Sequence, residues 1–197
     1  RKWSKSQAKE WFSKQPWLVG CNFLPSSAIN QLEMFQSETF DSDTLKREVR
    51  WASQLGFNTL RVYLHDLLWQ DDSAGFCKRL SHFLNICAEN KIRPILVLFD
   101  DCHRDDPILG VQPLPVAGVH NSGWKQSPGK NLVEAINKDT ATNNEIKCLK
   151  DFVQGVMNYF SKDDRILMWD IYNEPGQFGR GEKSLKLLKL TWEWAHE

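Results

Sequence analysis

The sequence predicts an α/β fold of the (β/α)8 TIM-barrel type, with about the first four β/α units present, as a single domain over 1–197. Three observations predict it. Strand-length apolar runs alternate with segments of helical periodicity, which implies a parallel sheet with right-handed crossovers. Every strand run ends in polar or charged residues: Asn22, Arg61 with His65, Asp100 with Asp101, and Asn173 with Glu174. Barrels gather side chains from several strand ends in that way. A doubly wound sheet would instead call for a Gly-rich phosphate loop after the first strand, and Gly20-Cys21-Asn22-Phe23-Leu24-Pro25 is not one. A complete barrel takes about 250 residues, so four units are about half of one.

The elements follow in order. Residues 1–16 read as a helix with Trp3, Ala8, Trp11 and Phe12 roughly on one face, ended by Pro16. The first strand is 17–24, stopped by Pro25. Residues 26–40 form a long connection whose Asn30, Gln31, Glu33 and Met34 follow a strand end and are candidates to line a site. A helix then starts at Asp41 or Asp43 as cap, with Leu45, Val49, Ala52 and Leu55 at helical spacing and Gly56 as breaker. Strand two, 57–64, alternates Thr59, Arg61 and Tyr63 with Leu60, Val62 and Leu64. An Arg inside an apolar strand is rarely buried without a carboxylate partner, so Arg61 implies a polar interior.

The second amphipathic helix, 73–91, turns Phe76, Leu80, Phe83, Leu84 and Cys87 inward. Strand three, 92–99, ends in Asp100-Asp101-Cys102-His103. Residues 104–142 are a long connection rich in Pro, Gly and Asn, and loops of that length in compact domains are usually functional or disordered. His120, Asn121, Trp124 and Gln126 give it the look of a binding loop. A third helix spans 143–160, and a fourth begins at Gly181 with Leu185, Leu188, Trp192 and Ala195 inward.

Strand four is the centre of the chain. Residues 166–172 read as a continuous apolar run, expected to be buried on both faces of a parallel sheet. It ends in Asn173-Glu174-Pro175-Gly176, placing a carboxylate and an amide at the carboxyl end of the strand, where such sheets do their chemistry.

Composition narrows the partners. Lys+Arg and Asp+Glu are 25 each, so no basic surplus points to nucleic acid or an anionic membrane. No apolar run reaches the ~18 residues of a membrane span, and no signal peptide is visible. Nine tryptophans give weak support to a sugar cleft. Five scattered cysteines read as free buried thiols rather than a disulfide framework or a zinc site, and no cofactor is expected.

These residues carry a resemblance. Ile166-Leu167-Met168-Trp169-Asp170-Ile171-Tyr172-Asn173-Glu174-Pro175 resembles the fourth strand of the clan of retaining glycoside hydrolases with (β/α)8 barrels that contains the cellulase-like family five enzymes. Asn58-Thr59-Leu60-Arg61-Val62 resembles that clan's second strand, and Asn22 and Leu55-Gly56-Phe57-Asn58 are also similar to its members. The stretches 28–34 and 119–129 resemble bacterial barrels labelled cellulase-like or xylanase-like. The resemblance implies that Glu174 is the general acid/base, that Asn173 contacts the sugar 2-hydroxyl, and that Arg61 supports the nucleophile. His65, His120 and Trp124 are candidate substrate-binding residues.

The implied substrate is a β-linked polysaccharide or oligosaccharide, cleaved with two carboxyls ~5–5.5 Å apart. The clan's nucleophile lies on strand seven, outside this chain. Only Asp100, Asp101, Asp66 and Glu33 are weighed as second carboxyls within it, and none has the nucleophile's place, so the 197 residues by themselves are expected to be inactive. The missing C-terminal barrel half or a second copy is the expected partner, because a half barrel has raw sheet edges. The resemblance favours a periplasmic or secreted location. Two other readings stand beside it: a non-catalytic carbohydrate-binding barrel, and a metal-dependent barrel enzyme using His65, Asp66, Asp101 and His103.

Overall fold

The computed structural model of the chain describes residues 2–102 and 107–197. His103, one of the metal-ligand candidates, lies outside the described residues. Four parallel strands, β1 (Gly20–Asn22), β2 (Thr59–Tyr63), β3 (Ile95–Asp100) and β4 (Met168–Asn173), lie side by side in chain order. This is the arrangement of successive barrel staves. Tyr63, Val97 and Asp170 stand in register across three of them.

The expected alternation of β2 holds. Leu60, Val62 and Leu64 join the main core on the helix side, whereas Tyr63 packs with Val97 and Trp124 in a smaller cluster. The helix side is covered by α3 (Ser42–Gln54), α4 (Asp66–Glu89), α6 (Asn143–Tyr159) and α7 (Leu185–Trp194). Asp41 caps α3, its carboxylate accepting from the Thr44 amide at 3.0 Å. α4 breaks at Asp72, which caps its second part by accepting from the Gly75 amide at 2.8 Å. That second part is the helix the sequence shows, and the stretch from Asp66 to the break is an added turn. Thr142 and Glu145 form a capping box that starts α6.

Five expectations about the elements are corrected. The N-terminal helix exists as α1 (Lys5–Ser13) but buries no residue, so its aromatics do not serve the core. The 26–40 connection holds a short helix, α2 (Gln31–Phe35), in which Leu32, Met34 and Phe35 are buried. Phe35 meets Phe76 and Phe83 edge-on at 5.8 and 6.1 Å, so this segment is core rather than loop. The 104–142 connection likewise holds α5 (Lys130–Asn137), with Val133 and Ile136 buried. In α7 the inward residues are Leu187, Thr191 and Trp194, and Leu185 and Trp192 face outward at 42% and 49% exposure. Leu188 and Ala195 do pack part-buried against the core; the helix is apolar on more than one side, and packing rotated the buried stripe away from Leu185 and Trp192.

Burial of the sheet itself is the fifth. β1 is exposed along its length and β4 is only half-buried until Tyr172 and Asn173. Among the described residues β1 pairs only with β2 and β4 only with β3, so both outer strands keep one free edge. The cysteines are free, but only Cys77 and Cys87 are buried.

Candidate active site

The carboxyl ends of the strands surround an open cleft of about 380 Å³ lined by Asn22, Arg61, Tyr63, Cys102, His120, Asn121, Asn173, Glu174 and Phe178. Asn22 comes from β1, Arg61 and Tyr63 from β2, and Asn173 from β4. Glu174 follows directly, exposed on the rim. Its backbone is in the left-handed region at φ 45°, as are Gly176 at 95° and Phe178 at 53°. The chain turns there so tightly that a Cβ on Gly176 would lie 2.6 Å from the Gly181 carbonyl oxygen, so glycine is required.

Arg61 turns inward, not to bulk water. Nη1 donates to the Tyr63 hydroxyl at 2.8 Å, and Nη2 donates to Asn173 Oδ1 at 2.7 Å and to the Asp170 carboxylate. The partner that an Arg in an apolar strand demands is therefore Asp170, within the chain. Burial works against the Arg61 charge, but the hydrogen bond and charge of Asp170 outweigh it and hold its pKa above the ordinary value. The Tyr63 phenol is pushed up by burial. Its ring lies 5.1 Å from the Arg61 Cζ and meets Trp124 edge-on, also at 5.1 Å.

Asn173 is held from three sides. Besides accepting from Arg61, its Nδ2 donates to Asp100 Oδ1 and to Cys102 Sγ, each at 3.1 Å. The Cys102 thiol donates to Glu174 Oε2 at 2.6 Å. Burial, the hydrogen bond to Glu174 and the nearby Asp100 all raise the Cys102 pKa, which keeps the thiol protonated as a donor. One network thus runs from Asp170 through Arg61, Asn173 and Cys102 to Glu174.

The candidate substrate residues divide. His120 is exposed and lines the cleft. Trp124 is 8% exposed; it backs Tyr63 and lines an adjoining pocket of about 310 Å³ with Asn22, His120 and Asn121. His65 is a correction. It is fully buried at the start of α4, where Nδ1 accepts from the Leu67 amide at 3.2 Å and Nε2 donates to the Gln126 carbonyl at 2.9 Å. Both ring nitrogens serve the backbone, so His65 is a structural cap that does not reach the cleft.

The weighed second carboxyls are also engaged. Glu33 accepts from the Ile29 amide at 2.7 Å, and Asp66 accepts from Ser127 Oγ at 2.7 Å and Gln70 Nε2 at 2.8 Å. Asp100 holds Asn173, and Asp101 is buried among donors of the loop after β4. Asn30, expected near the site, is buried and bridges to Gln112 Oε1 and the Gly123 carbonyl at 2.8 Å each. It fixes the long loop over the cleft rather than lining it. Among the described cleft-lining residues Glu174 is the one carboxylate. No described group of three or more His, Cys, Asp or Glu is placed to hold a metal ion.

Asp170, Cys102, Tyr63 and Phe178 join the site without having been expected there. Asp170 had a usable signal, a lone charge inside the run 166–172 facing a lone Arg two strands away. Cys102 had none, since a thiol after a strand is common and its aim depends on the turn.

A family model described as Cellulase (glycosyl hydrolase family 5) matches residues 23–195. The solved exo-β-1,4-mannosidase Op5Man5 from Opitutaceae bacterium strain TAV5 is similar at TM-score 0.60 and 17% identity, over 91% of this chain and 29% of that one. A variant of GH5_18 from Streptomyces cattleya, in complex with Manβ1-4GlcNAc, is similar at TM-score 0.56 and 11% identity, over 85% of this chain and 40% of that one. GH5_18 in complex with GlcNAc is similar at TM-score 0.53 and 11% identity, over 91% and 42%. At these identities the likeness is one of fold, and the chain spans less than half the length of each. No curated protein matches the chain in sequence.

Proposed function

The chain belongs to glycosyl hydrolase family 5, and from that premise we propose that it carries the proton-donating half of a retaining β-glycosidase site. The observation that carries the proposal is the placement of Glu174. It is the cleft's carboxylate, at the end of β4, joined by hydrogen bonds through Cys102 and Asn173 to the inward Arg61.

In the proposed reaction a protonated Glu174 gives its proton to the glycosidic oxygen as the bond to the anomeric carbon breaks. A second carboxylate attacks that carbon from the opposite face. Water, activated by the now ionised Glu174, then releases the sugar. Asn173 has both Nδ2 hydrogens spent on Asp100 and Cys102, and one lone pair of Oδ1 spent on Arg61. The other lone pair of Oδ1 is the one a sugar hydroxyl would use, so the sugar is the donor in that contact. His120 and Phe178 on the rim are proposed contacts for the sugar or its leaving group, with Trp124 behind them.

The attacking carboxylate and the remaining staves would come from sequence outside these 197 residues or from a second copy. Until they are joined, the chain should not hydrolyse glycosides. The proposed location, periplasmic or secreted, rests on the family alone.

The experiment uses the barrel-complete protein, meaning this chain with the partner that closes the sheet. It is assayed on β-mannan, xylan, β-glucan and the matching aryl β-glycosides. β-1,4-mannosides come first because one structural relative is an exo-β-1,4-mannosidase and another holds Manβ1-4GlcNAc. Glu174→Gln should cost about 10²–10⁴-fold in kcat/KM on substrates with poor leaving groups. Equal activity of Glu174→Gln and wild type would refute the assignment. Sugar binding without hydrolysis in the complete protein would favour the carbohydrate-binding reading, which the single carboxylate of the cleft keeps in view.

A further inference from the structure

Asp101 is fully buried beside the site but does not line the cleft. Four donors converge on its two oxygens. The Tyr172 hydroxyl donates to Oδ1 at 3.0 Å and Arg180 Nη1 at 2.5 Å. The Gly176 amide donates to Oδ2 at 2.8 Å, and the Ser184 hydroxyl donates there too. Three of those donors lie on the turn that begins with Glu174: Gly176 near its start, Arg180 and Ser184 at its close. The Gly181 amide bonds the Gly176 carbonyl at 2.8 Å, closing the same turn a second time. Arg180 also donates to Gln126 Oε1, which ties the turn to the long loop over the cleft.

A carboxylate suits that place. Arg180 Nη1 on Oδ1 and the Gly176 amide on Oδ2 can only donate, so an amide of the same shape would set its own N–H group against one of them whichever way it turned. The turn they hold carries Glu174 at φ 45°, a conformation an L-residue leaves unless its surroundings over-determine it.

We propose that Asp101 is a positioning residue for the proton donor: by gripping both ends of the turn 174–184 it keeps Glu174 in the left-handed region, with its carboxyl beside Cys102 and Asn173. The inference rests on the reading of Glu174 as acid/base, and it gives Asp101 neither a nucleophilic nor a metal-binding role.

The test has two arms. In the 197-residue chain, hydrogen exchange compares wild type with Asp101→Asn. The Gly176 and Gly181 amides should exchange about tenfold faster or more, with the β2 and β3 amides unchanged. Should Asp101→Asn fail to fold, Ser184→Ala removes one donor without removing the charge and should speed the same two amides by a smaller factor. Wild-type exchange at Gly176 and Gly181 in the folded variant would overturn the proposal.

The second arm measures kcat/KM in the barrel-complete protein on two aryl glycosides of one sugar. One carries a dinitrophenyl leaving group that needs no proton, the other a leaving group that does. A misplaced acid slows only the second substrate, whereas a smaller folded fraction slows both alike. Asp101→Asn should lose about tenfold or more on the proton-requiring substrate, and less than about threefold on the dinitrophenyl one, a weaker copy of the Glu174→Gln pattern. Equal losses on both would overturn the positioning role while leaving the acid/base assignment intact. Absence of any contrast in Glu174→Gln would sink the acid/base assignment, and the exchange arm would still judge the grip on the turn.

Discussion

The pairing of Arg61 with Asp170 can be weighed by a double-mutant cycle of Asp170→Asn, Arg61→Met and both together. Each side chain keeps 27% of its surface exposed, which sets the pair between two known limits. Fully exposed pairs couple by about 0.2–1 kcal/mol, and breaking a fully buried pair costs about 3–5 kcal/mol. Asp170→Asn does not strand Arg61 completely, since Tyr63 at 2.8 Å and Asn173 at 2.7 Å still accept from it. A coupling energy of about 1–2 kcal/mol is therefore expected, and Asp170→Asn alone should lower Tm by roughly 2–8 °C for a chain of this size. Thermal or urea melts followed by circular dichroism supply the four stabilities. The coupling should weaken in high salt, because the pair is not sealed from water. A coupling below about 0.3 kcal/mol is ordinary additivity and would mean that the guanidinium does not meet this carboxylate.

Two further outcomes are expected. Glu174→Gln removes a negative neighbour that raises the Cys102 pKa, so Cys102 should react faster with iodoacetamide at pH 8–9 in the variant, as peptide mass mapping would read; an unchanged rate would refute the thiol–carboxyl contact. The hydrogen bond from Arg165 lowers the Asp163 pKa, so its contribution to stability is complete above the unfolded value of about 3.9 and fades as pH falls through the lower folded value. The Tm gap between wild type and Asp163→Asn should thus be constant near neutrality and shrink below about pH 4, and a gap that widens there would contradict the sign.

The order of strands was legible because alternation of apolar runs and amphipathic segments has few alternatives. Asn173 and Arg61 were legible for a related reason: each breaks an apolar run at a strand end or within one, and burial makes such breaks costly unless something uses them, whereas the exposed Glu174 was legible from its place at the carboxyl end of a strand. That same rule identifies Asp170, a single charge that the otherwise apolar run 166–172 masks. His65 shows the opposite limit. A polar residue at a strand end can face the cleft or cap the next helix, and only the turn decides. The stripe expected for α7 holds at Leu188 and Ala195 and misses at Leu185 and Trp192, because Leu185, Leu187, Leu188, Leu190, Trp192 and Trp194 leave the helix apolar nearly all round and the neighbours select the face. α2, at five residues, is too short to show a period, and α5 is hidden in the Pro- and Gly-rich connection around it.

Glu174 sits at φ 45°, where an L-residue gives up roughly 1–2 kcal/mol that glycine would not. If Glu174 is the proposed proton donor, a glycine at this position would toughen the fold and remove that donor in one step. On that proposal durability and turnover pull against each other at a single backbone angle, and screening for thermal robustness alone would select against the acid.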